Sequence, residues 1–403
     1  MIVEVHVLQN FAPSCLNRDD TNTPKDCVFG GYRRARISSQ CIKRSIRSYC
    51  SANAATLGLD GHLGSRTQRL HSLLVDALVK AGKPQDEASE SVRFALEGNG
   101  LTMKEDQKNK TAVLLFLDLQ SVDRLKDALL GCWDDLQKGR QAQAALLPQK
   151  EIPDPQTPVE DEKKEKKKTP KKTAKQLKKE KAAMLPDSVK KAFDSIKHTV
   201  TTAADIALFG RMIVELDNMS IDAACQVAHA VSTHEVNMEA DYYTAIDDLQ
   251  PAGDVGAEMI GIVEFNSSCF YRYSLVDTAQ LLANLDGDKG LADKALLGFV
   301  QASILAIPTG RQHSMAAQNL PEYVRVVVRS GGVPRSLTNA FLKPVRPTRE
   351  SNFLQESRQR LIDHDKAMTG MYGVDGVVMD RSVSIHGDSG SVADLVTELA
   401  KVM

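Results

Sequence analysis

Residues 29–47 read FGGYRRARISSQCIKRSIR and, from Arg33 to Arg47, carry six cationic side chains and no acidic one. The chain as a whole does not share this bias, because its formal net charge is only −1. Gly30 and Gly31, near the start of the stretch, permit positive φ angles or a close backbone approach to a ligand. Clustered cations beside such a turn favour binding to a row of phosphate groups. The alternative is a solvated basic helix face.

A helix is predicted to begin at the two serines of this stretch. Ser38 or Ser39 is a natural N-cap, and a capped helix N-terminus offers backbone N–H groups to an anion. Ile42, Ile46 and Tyr49 follow at i, i+4 and i+7, a spacing that indicates one apolar stripe facing a core. Another face of the helix carries polar and cationic side chains at neighbouring positions. These are Gln40, Lys43, Arg44 and Arg47.

The composition is that of a sizeable globular protein. With 403 residues, 42% of them hydrophobic, the chain is long enough for two or three domains. It contains no run of eighteen apolar residues and no basic segment typical of a signal peptide, so we expect neither a membrane span nor secretion. Seven cysteines without a C-x-x-C pair indicate reduced thiols in a cytoplasm. Balanced charge argues against an indiscriminate nucleic-acid binder but not against a local basic surface.

Hydrophobic periodicity predicts an α+β fold. Alternating patterns indicate strands at residues 1–8, 261–274 and 322–329. Helical patterns cover residues 38–52, 66–82, 121–146, 186–199, 220–232 and 290–306. Strands this far apart in sequence, with helices between them, are typical of a sheet domain of the α+β class. No pattern assigns a structure to residues 346–403.

Residues 149–185 form a segment of unusual composition. Its first part is rich in proline, and residues 163–181 contain eleven lysines. Because it has almost no apolar side chains, we expect a disordered loop. Such a loop is either a soluble insertion or a nonspecific contact to nucleic acid through counterion release.

Residues 234–258 are acidic, with a few hydrophobic side chains among the carboxylates. Val236, Met238 and Tyr242 are hydrophobic residues among the acidic Glu235, Glu239 and Asp241. An acidic segment does not grip phosphates directly, so the pattern alone favours an exposed hairpin with buried anchors. A wedge between bases, or a contact to the basic surface of a second copy, is the alternative.

Several sequence blocks, in a fixed order, resemble the CasC family, the backbone subunits of the type I-E CRISPR surveillance complex Cascade. The N-terminal blocks are HVL at 6–8, PSCLNRDD at 13–20, FGG at 29–31, RISSQ at 36–40 and KR at 43–44. The later blocks are DIALFGRM at 205–212, AACQVAH at 223–229, DYYTAIDD at 241–248 and FYRY at 270–273. The blocks are spread over residues 1–345, and a chance match of so many is very improbable.

The resemblance implies an open-hand architecture. In the family, a modified RRM-like (ferredoxin-like) palm carries a helical fingers insertion and a projecting β-hairpin thumb. By resemblance the palm comprises residues 1–55, 200–232 and 259–345, with 346–403 completing it or supporting subunit contacts. The fingers comprise residues 56–199, including the lysine-rich loop, and the thumb residues 233–258.

The resemblance also implies a function and its residues. Copies of the family's chains assemble head to tail along a CRISPR RNA (crRNA) together with other Cascade subunits, and present the guide for pairing with target DNA. Neither a cofactor nor a membrane is involved. The contacts to the guide backbone carry over to Arg18, Lys25, Ser38, Gln40, Lys43 and Arg47, and the helix pattern adds Arg44. Met212 would pack against the kinked nucleotide, unless it is a core methionine. Tyr242 or Tyr243 would separate bases, since strand alternation puts only one of them outward.

Recognition of RNA bases by the surface of the sheet is disfavoured, because the RRM signature K/R-G-F/Y-G/A-F-V-x-F/Y is absent. Binding through the shape and charge of the RNA backbone suits a guide of variable sequence, because the guide sequence is then recognised only by base pairing with the target.

The alternative function is a metal-dependent RNA endonuclease of the type III kind, using Asp19 or Asp20. An Asx-turn or an ion pair explains the same residues, and adjacent residues of an extended loop point apart. A small-molecule enzyme is disfavoured, since no phosphate loop, dinucleotide, zincin or nucleophile-elbow motif occurs. A filament-forming protein that needs no RNA is a third class. The resemblance, which these alternatives do not outweigh, therefore implies a non-catalytic, RNA-binding backbone subunit in antiviral defence.

Overall fold

A computed structural model of the protein describes residues 1–104, 106–107, 109–146, 183, 185–196, 201–212, 220–246, 248–249, 259–374, 376–387 and 390–403. Most of the lysine-rich segment and residues 250–258 of the expected thumb lie outside the described residues. The chain divides into two compact units. The first unit comprises residues 1–62, 207–209 and 222–403, and the second comprises residues 63–206 and 210–221.

The described strands are β1 (Ile2–Ser14), β2 (Asp26–Phe29), β3 (Tyr32–Ile37), β4 (Gly64–Thr67), β5 (Leu115–Asp118), β6 (Cys225–Val227), β7 (Ala230–Ser232), β8 (Glu239–Ala245), β9 (Met259–Asp277), β10 (Tyr323–Arg329) and β11 (Val377–Ser384). The described helices are α1 (Ser39–Ala52), α2 (Ala54–Leu57), α3 (Leu70–Lys80), α4 (Gln85–Gly98), α5 (Leu119–Gly131), α6 (Trp133–Leu146), α7 (Asp187–Ile196), α8 (Ala204–Phe209), α9 (Thr278–Asn284), α10 (Lys289–Leu305), α11 (Gln312–Met315), α12 (Phe353–Tyr372) and α13 (Val392–Val402), with a 3₁₀ turn at Thr338–Phe341. None of these helices is both long and apolar enough to cross a membrane.

The first unit is built on a mixed α/β arrangement with an antiparallel sheet, as predicted. Its strand order is β11-β10-β1-β9-β7-β3-β2, and β6 and β8 also pair with β9. The central strand β1 pairs with β10 on one side and β9 on the other, so that Val5 lies opposite both Val326 and Ser274. Residues 346–403, to which no sequence pattern assigned a structure, supply α12, the edge strand β11 and α13.

Both faces of β1 are covered. On one face, Leu8 and Tyr271 belong to a cluster that includes Leu354 and Leu361 of α12. On the other face, Val5 and Val7 line a small cavity together with side chains of α1 and α10. The central strand β1 is therefore covered on both sides, which explains why most of its residues, polar ones included, are buried.

A buried ionic group lies in the α12 face of the sheet. The Glu4 side chain is fully buried and accepts hydrogen bonds from Arg329 Nε (2.5 Å), the Tyr273 hydroxyl (2.7 Å) and the Arg335 backbone N–H (2.6 Å). A buried carboxylate is tolerated when it is paired and fully hydrogen-bonded. This group fixes where the chain after β10 runs across the sheet.

The second unit has its own core. Strands β4 and β5 form a two-stranded sheet, and α3 packs against α4 and α5. Leu74, Leu78, Leu129 and Trp133 belong to its apolar cluster. The predicted helix at 66–82 begins only at Leu70, because residues 64–67 pair with β5. The predicted helix at 121–146 is two helices, α5 and α6, interrupted at Cys132.

The predicted helix at residues 220–232 is wrong. The segment is rich in alanine, which favours a helix locally. In the structure it forms two short strands, because residues 225–227 pair with β9 and residues 230–232 pair with β3 and β9. Pairing with distant strands overrides the local preference. The sequence did not predict the helices α2, α4, α8, α9, α11, α12 and α13.

Candidate nucleic-acid interface

Helix α1 begins where the sequence predicted. Ser38 is the N-cap, and its hydroxyl accepts a hydrogen bond from the Cys41 N–H (3.3 Å). The Ser38 N–H in turn donates to the side-chain oxygen of Asn17 (2.8 Å). Ile42 and Ile46 are buried, which turns the other side of the helix outward. The cap and the apolar stripe together fix the direction in which the cationic side chains project.

A histidine that the sequence reading missed lies at the same helix end. The His229 Nδ1 accepts from the Ser39 N–H and from Arg36 Nη1, both at 3.3 Å. Partial burial, and then the positive charges of Arg36 and Lys25, lower the pKa of His229. Lys25 is half-buried. Three groups that can contact an anion, from β3, the β1–β2 loop and the β6–β7 turn, therefore surround the first turn of α1.

Two of the six clustered cations stabilise the fold through contacts within the chain. Arg33 forms an ion pair with Asp26 across the β2–β3 hairpin. Arg34 is completely buried and donates to the carbonyl oxygens of Ser232 (2.9 Å) and Phe341 (2.8 Å). Buried guanidinium groups need such partners, since an unpaired donor is costly. Arg33 and Arg34 are thus accounted for by contacts within the chain.

An open polar cleft of about 450 Å³ lies beside α1. Arg18 and Arg44 both line it, and both side chains are exposed. The Arg18 guanidinium donates to the Asn22 side-chain oxygen (2.6 Å), which holds it at the rim. The positive charges of Lys25 and Arg44 also oppose the rise in the pKa of Cys41 that burial causes. The lining residues are Leu16, Asn17, Arg18, Asp19, Asn22, Cys41, Arg44, Ser45, Ser48, Thr309 and Gly310.

The predicted polar stripe of α1 is divided in two. Arg44 faces the cleft, whereas the Lys43 ammonium lies 5.9 Å from the centroid of the Phe209 ring, on the other flank of the helix. Gln40 is exposed and Arg47 is half-buried. At 100° per residue, Gln40 and Arg47 lie between those two flanks. The structure therefore brings Arg18 and Arg44 together and leaves Lys43 separate from them.

The segment predicted as the thumb supplies one strand of a projecting hairpin: β8 pairs with the first part of β9, residues 259–265, which the sequence assigned to the palm. Every residue of β8 is exposed. Tyr242 lies opposite Ile262, and both side chains are more than 60% exposed. Tyr243 lies opposite Gly261, and a Cβ at Gly261 would lie 2.3 Å from the Tyr243 ring. The two tyrosines occupy opposite faces: Tyr243 covers the glycine, and Tyr242 projects into solvent.

Met212 belongs to the second unit. It follows Arg211, whose backbone pairs with Ile221 in an isolated bridge. The Met212 side chain is 83% exposed. The alternative that it is a core methionine is therefore wrong. A large exposed apolar side chain is available for contact with a ligand or another chain.

The two aspartates of the alternative function lie in the loop after β1. Asp19 Oδ1 accepts from the Thr21 N–H (2.9 Å), the Thr21 hydroxyl (2.8 Å) and the Thr23 N–H (3.0 Å). The bonds from Thr21 and Thr23 lower the pKa of Asp19. This is the geometry of an Asx-turn. Asp20 is exposed, and among the residues that the structure describes no three His, Cys, Asp or Glu side chains are grouped as a metal site would require.

A family model described as CT1975-like protein matches residues 3–400 of the chain. The chain belongs to this family. No curated protein matches it. A chain of the solved structure "CRISPR RNA-guided surveillance complex, pre-nicking" is 26% identical, with a TM-score of 0.77 over 100% of this chain and 99% of that one. A chain of "CRISPR RNA-guided surveillance complex" is 22% identical, with a TM-score of 0.70 over 100% of both chains, which shows the shared fold. The resemblance found in the sequence blocks is confirmed at the level of family and fold.

One wall of the cleft in this CT1975-like chain was not predicted. Gly310 lies so close to the loop after β1 that a Cβ would be 2.4 Å from the Leu16 carbonyl oxygen. Arg311 and Ala316, which flank the short helix α11, both adopt positive φ. Such strain in residues other than glycine clusters at functional sites. The only sequence signal was the Pro-Thr-Gly turn at 308–310, which does not reveal where the loop packs.

Proposed function

We propose that the chain is a crRNA-binding backbone subunit of a type I-E Cascade surveillance complex. Copies assemble head to tail along the guide and present it for pairing with target DNA, in contact with other Cascade subunits. The first unit, with residues 346–403 completing it, acts as the RRM-like palm, the second unit contains the fingers, and the β8–β9 hairpin is the thumb. The proposal assigns no catalytic role to the chain.

One observation carries the RNA-binding part of this proposal: Arg18 and Arg44 line the same open cleft beside the capped end of α1. Guanidinium groups bind phosphate oxygens in a fixed, often bidentate geometry. Ser48 and Thr309 add hydroxyl groups to the cleft, and Asn17 adds an amide. These groups contact a sugar-phosphate backbone without reading bases, which suits a guide of variable sequence.

The charge on the rest of the chain supports a local, oriented contact. The formal net charge is −1, so long-range attraction does not hold RNA on the whole surface. The hairpin is acidic around Tyr242, with Glu239 and Asp241 in β8. It therefore does not bind the phosphates that the cleft attracts, and we assign Tyr242 to contacts with bases, where stacking on an aromatic ring is favourable.

The Asx-turn of Asp19 does not favour the nuclease alternative. Its Oδ1 already accepts three hydrogen bonds that hold the loop. We infer that Asp19 keeps Arg18 at the rim of the cleft by shaping the 17–23 loop. Magnesium-dependent cutting of RNA by the pure chain, lost on Asp19→Asn, would contradict the scaffold role.

The cleft is tested by the binding of labelled single-stranded RNA to Arg18→Ala/Arg44→Ala. We expect weaker binding and a log–log salt slope that is less steep by about 0.7 for each phosphate group that the variant no longer neutralises. Lys366→Ala/Lys401→Ala is the matched control, since it removes the same charge from exposed positions outside the cleft. Equal affinities and slopes for the two double variants, both folded, would contradict the assignment.

A further inference from the structure

The root of the β8–β9 hairpin is held by a buried histidine. His234 is only 5% exposed, and its Nε2 accepts a hydrogen bond from the Cys269 N–H in β9 (3.1 Å). Its Nδ1 lies 2.8 Å from the Glu235 carbonyl oxygen, to which it must donate. These two partners require a neutral imidazole with the proton on Nδ1. Burial and the positive charge of Arg34 lower the pKa of His234, in agreement with the neutral form.

Helix α12, from the C-terminal part of the chain, contacts His234 and the residue before it. The Phe353 ring stacks on the His234 ring, with centroids 4.0 Å apart and planes at 23°. One turn further along α12, the buried Ser357 hydroxyl donates to the Thr233 hydroxyl (2.8 Å). The Thr233 carbonyl also accepts from the Val345 N–H (3.0 Å). The two residues that precede the hairpin are thus fixed to α12 and to the segment before it.

Among the described residues, 239–246 and 259–265 of the hairpin have few other contacts that could set its direction. All residues of β8 are exposed, and a two-stranded hairpin is marginally stable without packing partners. Val236 is buried, and its N–H donates to the Arg33 carbonyl (3.0 Å), which ties the root to β3. Beyond Val236 the strand leaves the core. The direction in which Tyr242 is presented is therefore decided at residues 233–236.

We propose that His234 is a positioning residue that, with α12, fixes the direction of the β8–β9 hairpin. The consequence of this inference rests on the proposed function, because it concerns copies assembled along RNA. A fixed hairpin gives every copy on an RNA the same spacing. The groups that contact or act on the imidazole are the Glu235 carbonyl, the Cys269 N–H from β9, the Arg34 guanidinium from β3 and the Phe353 ring from α12. Through His234, residues 353–372 support the thumb from outside it.

The test compares three variants of the full chain by hydrogen exchange and by nuclease protection of long single-stranded RNA. His234→Ala leaves the buried Cys269 N–H without its acceptor, so exchange at Cys269 and across 235–246 should be faster by at least about fivefold. His234→Gln restores an acceptor at a similar reach and should return most of the protection. His71→Ala, at a second buried histidine located in the second unit, is the matched control for general destabilisation.

Nuclease protection of RNA distinguishes a positioning role of His234 from a contribution to packing alone. Wild type and His234→Gln should give protected fragments at one constant increment, whereas His234→Ala should give irregular increments with unchanged affinity for a short RNA. Unchanged exchange across 235–246 in His234→Ala, or an equal rise in His71→Ala, would overturn the inference. If the wild type itself gives no ladder, the proposed function fails, and exchange alone decides the role of His234. If His234→Ala does not fold, Phe353→Leu, which removes only the stacked ring, takes its place with the same criteria.

Discussion

Gly30 lies against the main chain of Leu342: a Cβ on Gly30 would be 1.9 Å from the Leu342 carbonyl oxygen. Both Gly30 and Gly31 have positive φ, at 62° and 85°, and form the turn between β2 and β3. Such angles are those of a tight hairpin turn. The glycine pair, which the sequence suggested could approach a ligand, is therefore required by the chain's own turn, and at Gly30 by the contact with Leu342.

We expect Gly30→Ala to destabilise the protein strongly, because the new methyl group collides with backbone that cannot move aside. Gly31→Ala is the matched control, since it has a similar φ and no atom within 4 Å of the added Cβ. It should cost only the backbone strain, about 1 kcal/mol. Urea unfolding measures both. Equal losses of unfolding free energy would contradict the packing argument.

Substitutions of the two hairpin tyrosines should have different effects, one on stability and the other on RNA binding. Tyr243→Ala uncovers Gly261 and should lower hairpin stability by roughly 0.5–1 kcal/mol. Tyr242→Ala removes a side chain that is 61% exposed and should leave the melting temperature unchanged. If Tyr242 stacks on a base, its loss weakens RNA binding by about 1–3 kcal/mol. The opposite pattern, with only Tyr243 affecting binding, would assign the wedge to Tyr243.

Reversing charge at Lys43 and Arg47 together should abolish RNA binding without unfolding the chain. Both positions lie near the outward face of α1, and the buried stripe formed by Ile42 and Ile46 is untouched. Lys366→Glu/Lys401→Glu makes the same change of net charge at two exposed positions outside α1. Circular dichroism and RNA binding are measured on both. Normal RNA affinity in a folded Lys43→Glu/Arg47→Glu protein would show that the RNA does not use this flank of the helix.

Stability should fall in mild acid because of buried neutral histidines. Burial, helped by Arg325 and Arg329, lowers the pKa of His6 from 6.5 to about 3. The unfolded chain therefore binds a proton between these pH values that the folded chain does not, and the free energy of unfolding decreases as pH falls through that window. The lowered pKa values of His71 and His234 act in the same direction.

His6→Asn tests this assignment. The Tyr271 hydroxyl and His6 Nδ1 are hydrogen-bonded (2.8 Å), and the side-chain amide of an asparagine can accept or donate in the same bond. The variant should show a slope of unfolding free energy against pH that is smaller by up to about one proton, 1.36 kcal/mol per pH unit. An unchanged slope below pH 6.5 would mean that His6 does not take up a proton on unfolding.

The parts of the site that the sequence revealed are local. The Ser38 cap, the buried Ile42 and Ile46 stripe and the cations of α1 follow from spacing along one helix, and the structure has them there. Which cations remain for a ligand could not be predicted, because Arg34 is held by carbonyl groups 198 and 307 residues away. The division between Arg44 and Lys43 likewise depends on neighbours from distant segments.

The parts that were missed depend on contacts between segments far apart in the chain. His229 lies in a segment whose periodicity predicted a helix, and only pairing with β9 brings it to the end of α1. Thr309 reaches the cleft because Gly310 packs on Leu16. Helix α12 follows an Asn352 cap with a full capping box, a local signal that could have been read.

The most direct test of the account is nuclease protection of long single-stranded RNA by the purified chain in the presence of magnesium. We expect a ladder of protected fragments with a constant increment, because identical copies bind head to tail with a fixed site size. We expect Arg18→Ala/Arg44→Ala to lose the ladder. Protection of a single short length, or none, would contradict self-assembly on RNA. Cutting of the free RNA that requires magnesium and Asp19 would contradict the non-catalytic role.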